Sequence, residues 1–351
     1  METIALPRLL AAKRSYAVRR VNLEECVHLM QGTYAPTTGD LVLARITAIG
    51  SHSRIELPSG RKATLHAGDE VLLAYGNRYA PDQYEAYVPE TLEPCHMVAA
   101  GGIAAKAVSW HDKLSGPTAI EPVGVLCGAD GSAINLKQYA LPTLAGALPS
   151  AVFGVFGTSM NAGKTATAAS LVRGFAKSGY RVGALKITGT AAGGDPWLMH
   201  DSGAAKVLDF TDAGLATTFG TSIDTIVSTT RNLLRTLNRM DCDLAVVEIA
   251  DGLFQDETRQ VAASPLVQSL FDGVVFAAGD ALGAVDGIKR LESLGYDVLG
   301  LSGAVMRSPL AAREATAHLD VSAYSLSDLE AAATISEFME NTVSTRLSAA
   351  G

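Results

Sequence analysis

No apolar run in the 351 residues approaches the ~20 needed to cross a bilayer, so a helical membrane span is excluded. The first twenty residues carry basic side chains but no apolar block ending in a small-residue cleavage site; a cytoplasmic protein is expected. The four cysteines, Cys26, Cys95, Cys127 and Cys242, stand far apart and form no C-x-x-C pair. A disulfide framework is therefore disfavoured, and Cys95-His96 or Cys26-x-His28 supplies only half of a zinc site. Positive charge is also short: the formal net charge is −8, without the basic stripe of a general nucleic-acid binder. Small anions stay open as ligands, because backbone amides bind them whatever the net charge. Hydrophobic residues make up 48% of the chain, enough for a large core and against wholesale disorder.

What is present divides into two rhythms. From Gly39 to about Leu141 short apolar pieces alternate with turns. Examples are DLVLARITAIG, RIELPSGRKATL with its Pro-Ser-Gly turn, and DEVLLAYGNRYAPDQYEAYV. Close-spaced strands of this kind predict a β-rich barrel or sandwich over residues 1–145. No chemical motif stands out there, and His52, His66 and His111 read as surface or loop residues. LPTLAGALPS, residues 141–150, reads as a linker. From 150 to 351 strand-like and helical segments alternate: AVFGVFG, KTATAASLVRGFAKSG, YRVGALKI, SIDTIVSTTRNLLRTLNRM, DLAVVEIA, GVVFAAG, ALGAVDGIKRLESLG, DVLGLSG and SPLAAREATAH. That alternation predicts an α/β domain with a mostly parallel sheet, helices on both faces and ligands at the carboxyl ends of the strands. The terminal SDLEAAATISEFMENTVSTRL reads as an amphipathic helix that packs at home or on a partner.

The chemistry concentrates in FGTSMNAGKTATAASLV, residues 156–172. It follows a buried strand and opens a helix, the setting of a phosphate-binding loop. The usual spacing G-x-x-x-x-G-K-[ST] would place a glycine at 158, where Thr158 stands; the glycine is Gly157. Backbone N–H groups along Ser159, Met160, Asn161, Ala162, Gly163, Lys164, Thr165 and Ala166 suit phosphate oxygens, helped by the helix dipole. Lys164 would reach the β- and γ-phosphates, and Thr165 would place its hydroxyl on Mg²⁺. An ordinary glycine turn with a surface lysine is the competing reading, and the strand-to-helix setting speaks against it.

GTSMNAGKT resembles the loop of dethiobiotin synthetases, G-T-D-x-x-x-G-K-T, which has the same length. That family belongs to a wider P-loop group with cobalamin-pathway amidases, a molybdenum-cofactor nucleotide-binding adaptor and partitioning ATPases. The resemblance covers residues 150–325 and leaves the first half unexplained. DLAVVEIADGLFQ, residues 243–255, is similar to the synthetase segment D-x-x-x-V-E-G-A-G-G-L, which makes Glu248 the implied metal-organising acid. Lys186 in VGALKITGTAAGGDPWLMHDSGA matches a substrate- or phosphate-side lysine, with Thr188 beside it. The tail of that segment resembles the adaptor and implies Asp195 as the metal or water-positioning acid, with Asp201 as the alternative and His200 beside it.

Several departures set this chain apart. Ser159 replaces the synthetase aspartate, EIADG adds the charge of Asp251, and GLSGAVMRSP lacks the asparagine by which many relatives read the base. No early loop lysine of the partitioning type precedes Lys164; Met160 stands in that region. The resemblance implies an ATP- and Mg²⁺-dependent enzyme, with GTP possible, that activates or phosphorylates a small-molecule acceptor by ligase, cyclase or kinase chemistry. Lys164, Lys186, Asp195 and Glu248 are its implied catalytic set, Thr165, Asp195 and Glu248 its metal set, and Lys186, Thr188 and Asp251 its substrate side. A homodimer is expected, with neither nucleic acid nor membrane as partner. The alternative is an accessory NTPase or switch whose first domain docks a protein.

Overall fold

The computed structural model describes residues 1–349, with side chains through Thr342. The chain divides into two compact units. One comprises Met1–Pro142 with Thr190–Gly194 and Phe210–Gly220; the other comprises Thr143–Gly189, Asp195–Asp209 and Thr221–Gly351. A split at a single linker is thus too simple, because two short pieces of the second half of the sequence belong to the first unit.

In the first unit five strands close on themselves. Leu41–Ala48 pairs antiparallel with Glu70–Tyr75, which runs parallel to Ile103–Trp110. Cys95–Ala99 then joins Ile103–Trp110 to Thr118–Cys127, and that strand returns to Leu41–Ala48. Of the two expected architectures the barrel is the one formed, and closure leaves no open edge within the ring. Period-two alternation feeds two cores: Leu41, Leu43, Leu72 and Ala74 enter one cluster, Val42, Ala44, Val71 and Leu73 the other. Pro58-Ser59-Gly60 turns the hairpin Arg54–Glu56 with Lys62–Thr64, as its sequence predicts. His66 and His111 are exposed, but His52 is a packing residue: its ring lies 5.4 Å from Tyr84, and burial lowers its pKa to about 4. The cysteines are all buried and free, and burial pushes the Cys95 thiol up to about 12. Among the described residues no group of three His, Cys, Asp or Glu side chains is placed to hold a metal.

The second unit is a six-stranded parallel sheet. We number its strands β1 (Ala151–Gly157), β2 (Val182–Lys186), β3 (Lys206–Asp209), β4 (Leu244–Glu248), β5 (Gly273–Ala277) and β6 (Val298–Ser302). Their order across the sheet is β3-β2-β4-β1-β5-β6. Every strand of this sheet pairs in parallel, which requires a crossover between neighbours. The helices that supply crossovers are α1 (Lys164–Lys177), α2 (Gly194–Asp201), α3 (Ile223–Arg239), α4 (Asp256–Ala263) and α5 (Ala281–Ser293). Alternation along β2 shows how both faces are covered. Val182 and Ala184 join the cluster of Leu171, Val172 and Phe175 from α1, while a Cβ on Gly183 would meet Leu237 of α3 at 2.9 Å. The C-terminal segment is a helix over Ala332–Ala349, and Ile335 and Phe338 pack at home on Phe153 and its neighbours. The part of its amphipathic reading that falls on the side chains of 343–347 lies outside the described residues. No helix among the described residues is long and apolar enough to cross a membrane.

Candidate functional site

The phosphate loop sits where the central strand ends. β1 is buried throughout, and the N–H of Thr158 continues its pairing by donating to Ala277 O at 3.0 Å. Two glycines are required by what surrounds them. A Cβ on Gly157 would lie 2.7 Å from both Ala277 O and Lys164 Cγ. Gly163 has φ +99°, and a Cβ there would stand 2.9 Å from Gly303 Cα. The displaced glycine is therefore the one that lets Lys164 fold back along the end of β1. Lys164 is buried, and its Nζ donates to Ser159 O at 2.7 Å, so the loop closes around its own lysine. Burial lowers the Lys164 pKa, against the charges of Glu248 and Asp251.

Three neighbouring segments complete the site. Glu248 ends β4 and is almost fully buried; its Oε1 accepts from Thr165 Oγ1 at 3.0 Å, and its Oε2 has no hydrogen-bond partner among the described residues. Burial raises the Glu248 pKa, helped by the charge of Asp195 and opposed by Lys186 and Lys164. Lys186 ends β2, directly opposite Glu248 in the strand register, with its Nζ 3.8 Å from Glu248 Oε1 and paired to Asp195 Oδ2. Burial alone would favour neutral Lys186, but the carboxylates of Asp195 and Glu248 overcome it and hold its pKa above the ordinary lysine value. Asp195, in the first turn of α2, is held below the usual carboxylate range: burial opposes this, and the Lys186 ammonium prevails.

These residues share one cavity of about 450 Å³, lined by Met160, Asn161, Gly163, Lys164, Thr165, Ala166, Lys186, Asp195, Glu248, Ala250, Asp251 and Arg307. It brings together most of the residues singled out from sequence and separates a few. Thr188 is fully buried, and its hydroxyl is spent on Ala250 O, so it is a structural support and not a wall of the pocket. Gly157 and Ala162 are buried behind the loop, and Ser159 contributes the carbonyl that holds Lys164. Of the two aspartate candidates Asp195 stands in the cavity; Asp201 and His200 are exposed farther along α2, with His200 against Trp197. Arg307, in the turn after β6, lines the cavity although no motif drew attention to it. The signal was there, in the arginine of GAVMR directly after the last strand.

The residues fit a divalent cation of the magnesium kind. Mg²⁺ takes one or two carboxylates with a hydroxyl and phosphate oxygens, and it does not need an all-protein cage. The buried, unpartnered Oε2 of Glu248 beside the Thr165 hydroxyl is an acceptor without a donor, which a cation would satisfy.

The second unit has a P-loop NTPase fold. The loop between β1 and α1, the parallel strand order and the acid ending the neighbouring strand establish it. No family model and no curated protein matches the chain. Among solved structures it is similar to the signal recognition particle receptor FtsY of Elizabethkingia anophelis: 16% identity, 45% of this chain and 51% of that one, TM-score 0.33. The 54 kDa signal recognition particle protein of Aeropyrum pernix, solved with GDP, gives 15% identity over 58% of this chain and 51% of that one, at TM-score 0.36. A C-terminal Sua5 domain from Pyrococcus horikoshii gives 14% identity, 38% of this chain and 99% of that one, at TM-score 0.24. The match thus spans about half the length of the two signal recognition proteins. Likeness at this level carries no argument about chemistry, for which the site's own side chains are the ground.

Proposed function

We propose that the second unit binds ATP or GTP with Mg²⁺ and spends the terminal phosphoryl group on a small-molecule acceptor, as dethiobiotin synthetase-like enzymes do. The observation that carries this reading is Glu248: one oxygen is fixed by Thr165 and the other is buried without a partner among the described residues, beside two lysines in a phosphate-loop cavity. Thr165, Glu248 and Asp195 would hold Mg²⁺, which supplies charge neutralisation on the phosphates when bound. Lys164 and the loop amides stabilise charge on the transferring group. Lys186 is kept as an ammonium by Asp195 and Glu248, so it works as a fixed cation that orients an anionic acceptor and not as a base.

A carboxylate acceptor suits these residues. Its oxygen attacks the γ-phosphorus, the bond to the bridging oxygen breaks, and that electron pair leaves on the nucleoside diphosphate. No proton has to be removed, so no general base is required. A nucleophile such as an amine then attacks the acyl carbon of the acyl phosphate, the bond to phosphate breaks, inorganic phosphate leaves with the amine's proton released, and an amide or ring results. A nucleotide-dependent switch is the second reading, favoured by the chain path: Thr190–Gly194, between Lys186 and Asp195, is counted with the other unit.

Phosphate release from ATP and from GTP with Mg²⁺, alone and with pooled metabolite fractions, tests the proposal. Turnover that a metabolite fraction stimulates, and that Lys164→Ala lowers by about 100-fold or more, is the expected result. Slow turnover that no fraction changes would replace the enzyme with the switch.

A further inference from the structure

The cavity holds three cations, and two of them are occupied. Lys164 donates to Ser159 O, and Lys186 is paired with Asp195. The third, Arg307, is exposed and has no hydrogen bond or ion pair among the described residues, although it lines the same cavity. Its position is fixed by backbone. The turn Ala304–Arg307 is tied to the phosphate loop by Ala304 N–H donating to Ala162 O at 2.8 Å, and to the end of β5 by Val305 N–H donating to Ala278 O at 2.9 Å. The close approach of Gly163 to Gly303 locks the same contact. A free guanidinium is thus mounted on a rigid turn against the loop.

The strand order gives the cavity a direction. β4 and β2, which end in Glu248 and Lys186, lie on one side of β1; β5 and then β6, which leads to Arg307, lie on the other. At ~4.8 Å per strand, the ends of β4 and β6 are about 14 Å apart, so different elements hold the two ends of whatever lies across the loop. Thr165 reaches to the β4 side, where Glu248 waits with its unpartnered oxygen, and that side takes the metal and the reacting phosphate. The nucleoside end of the ligand then falls on the β6 side.

We propose that Arg307 binds the nucleotide at its α-phosphate, holding the nucleoside end of the ligand and not the phosphoryl group that is transferred. The proposal rests on the reading of this cavity as a nucleotide site. A guanidinium suits such a contact, because it is always charged, donates only, and forks onto two phosphate oxygens where lysine offers a point charge. It also explains why a chain without a base-reading asparagine after β6 carries an arginine there, since an α-phosphate contact is indifferent to the base.

Calorimetric titration of wild type, Arg307→Ala and Arg307→Lys with GTP, with ATP and with inorganic pyrophosphate, all with Mg²⁺, tests this. Arg307→Ala is expected to weaken both nucleotides about tenfold and pyrophosphate, which fills the β- and γ-positions and has no α-phosphate, less than twofold, with Arg307→Lys recovering part of the loss. An equal loss for pyrophosphate would move Arg307 to the β- and γ-phosphates and overturn the proposal, as would unchanged nucleotide binding in Arg307→Ala. Failure of the wild type to bind any of the three would instead remove the nucleotide reading, and the proposal with it.

Discussion

Each unit buries a carboxylate, and the two are treated in opposite ways. In the barrel unit Asp40 is saturated: it accepts from Tyr34 Oη at 2.8 Å, from Thr37 N at 2.7 Å and Oγ1 at 3.1 Å, and from Asn135 Nδ2 at 2.9 Å. In the sheet unit Glu248 has one oxygen bonded to Thr165 and the other without a hydrogen-bond partner among the described residues. A buried acid whose acceptor sites are all filled holds its own surroundings together. A buried acid with a lone pair left over costs stability, and it persists where a ligand satisfies it. Burial by itself separates nothing here; the count of donors does.

Replacing each acid should therefore break different things. Glu248→Gln is expected to lower Mg²⁺-dependent phosphate release by about 100-fold while leaving the ligand-free protein as stable or more so. Asp40→Ala should cost about 2–4 kcal/mol in denaturant unfolding, because four donors lose their acceptor, with nucleotide affinity of the folded protein unchanged within twofold. If Asp40→Ala abolished binding while Glu248→Gln left turnover intact, the distinction between saturated and unsaturated acids would collapse.

The same contrast has a pH signature with a definite sign. The folded-state pKa of Glu248 is raised, so the folded protein binds the proton more tightly than the unfolded chain does. Its contribution is fully present below the ordinary glutamate range and is lost as pH rises through the raised value. Glu248→Gln carries no such penalty. Its thermal midpoint relative to wild type should climb between acidic and neutral pH, and added Mg²⁺ with nucleotide should shrink that difference by stabilising the wild type. A midpoint difference flat with pH would mean that Glu248 is as well solvated as an exposed acid.

The two units also differ in what their sequence reveals. In the sheet unit strand, loop and helix are local, and the requirements of a phosphate loop fall within nine consecutive residues, Gly157 to Thr165. Glu248 was readable because it ends an apolar run, and Asp195 was legible only as one of two aspartates. Thr188 misled because its polarity looks functional in a string, whereas folding spends its hydroxyl on Ala250. Arg307 escaped because its relevance depends on β6 lying two strands from the loop, a fact of topology. In the barrel unit the strands were visible but closure was not. The pairing of Cys95–Ala99 with Thr118–Cys127 completes the ring between segments whose sequences do not announce each other. That Thr190–Gly194 and Phe210–Gly220 belong to that unit was equally hidden, because no local pattern marks which core a short polar loop will join.

The smallest expected effect tests the sharpest choice within the sheet unit, that between Asp195 and Asp201. Six residues apart on α2, they lie nearly two turns apart along the helix but point in different directions: Asp195 is turned into the cavity against Lys186, and Asp201 is exposed in the last turn. Asp201→Asn should change turnover less than twofold and stability by less than about 0.5 kcal/mol, since it alters an exposed side chain away from any buried partner. Asp195→Asn should do far more than its size suggests, because it removes the carboxylate paired with the buried Lys186 ammonium and leaves Glu248 at 3.8 Å. Turnover measured on both variants under the same Mg²⁺ and nucleotide conditions decides the assignment. A large loss in Asp201→Asn with little in Asp195→Asn would place the working acid outside the cavity, and the ion pair with Lys186 would then be only a strut for the start of α2.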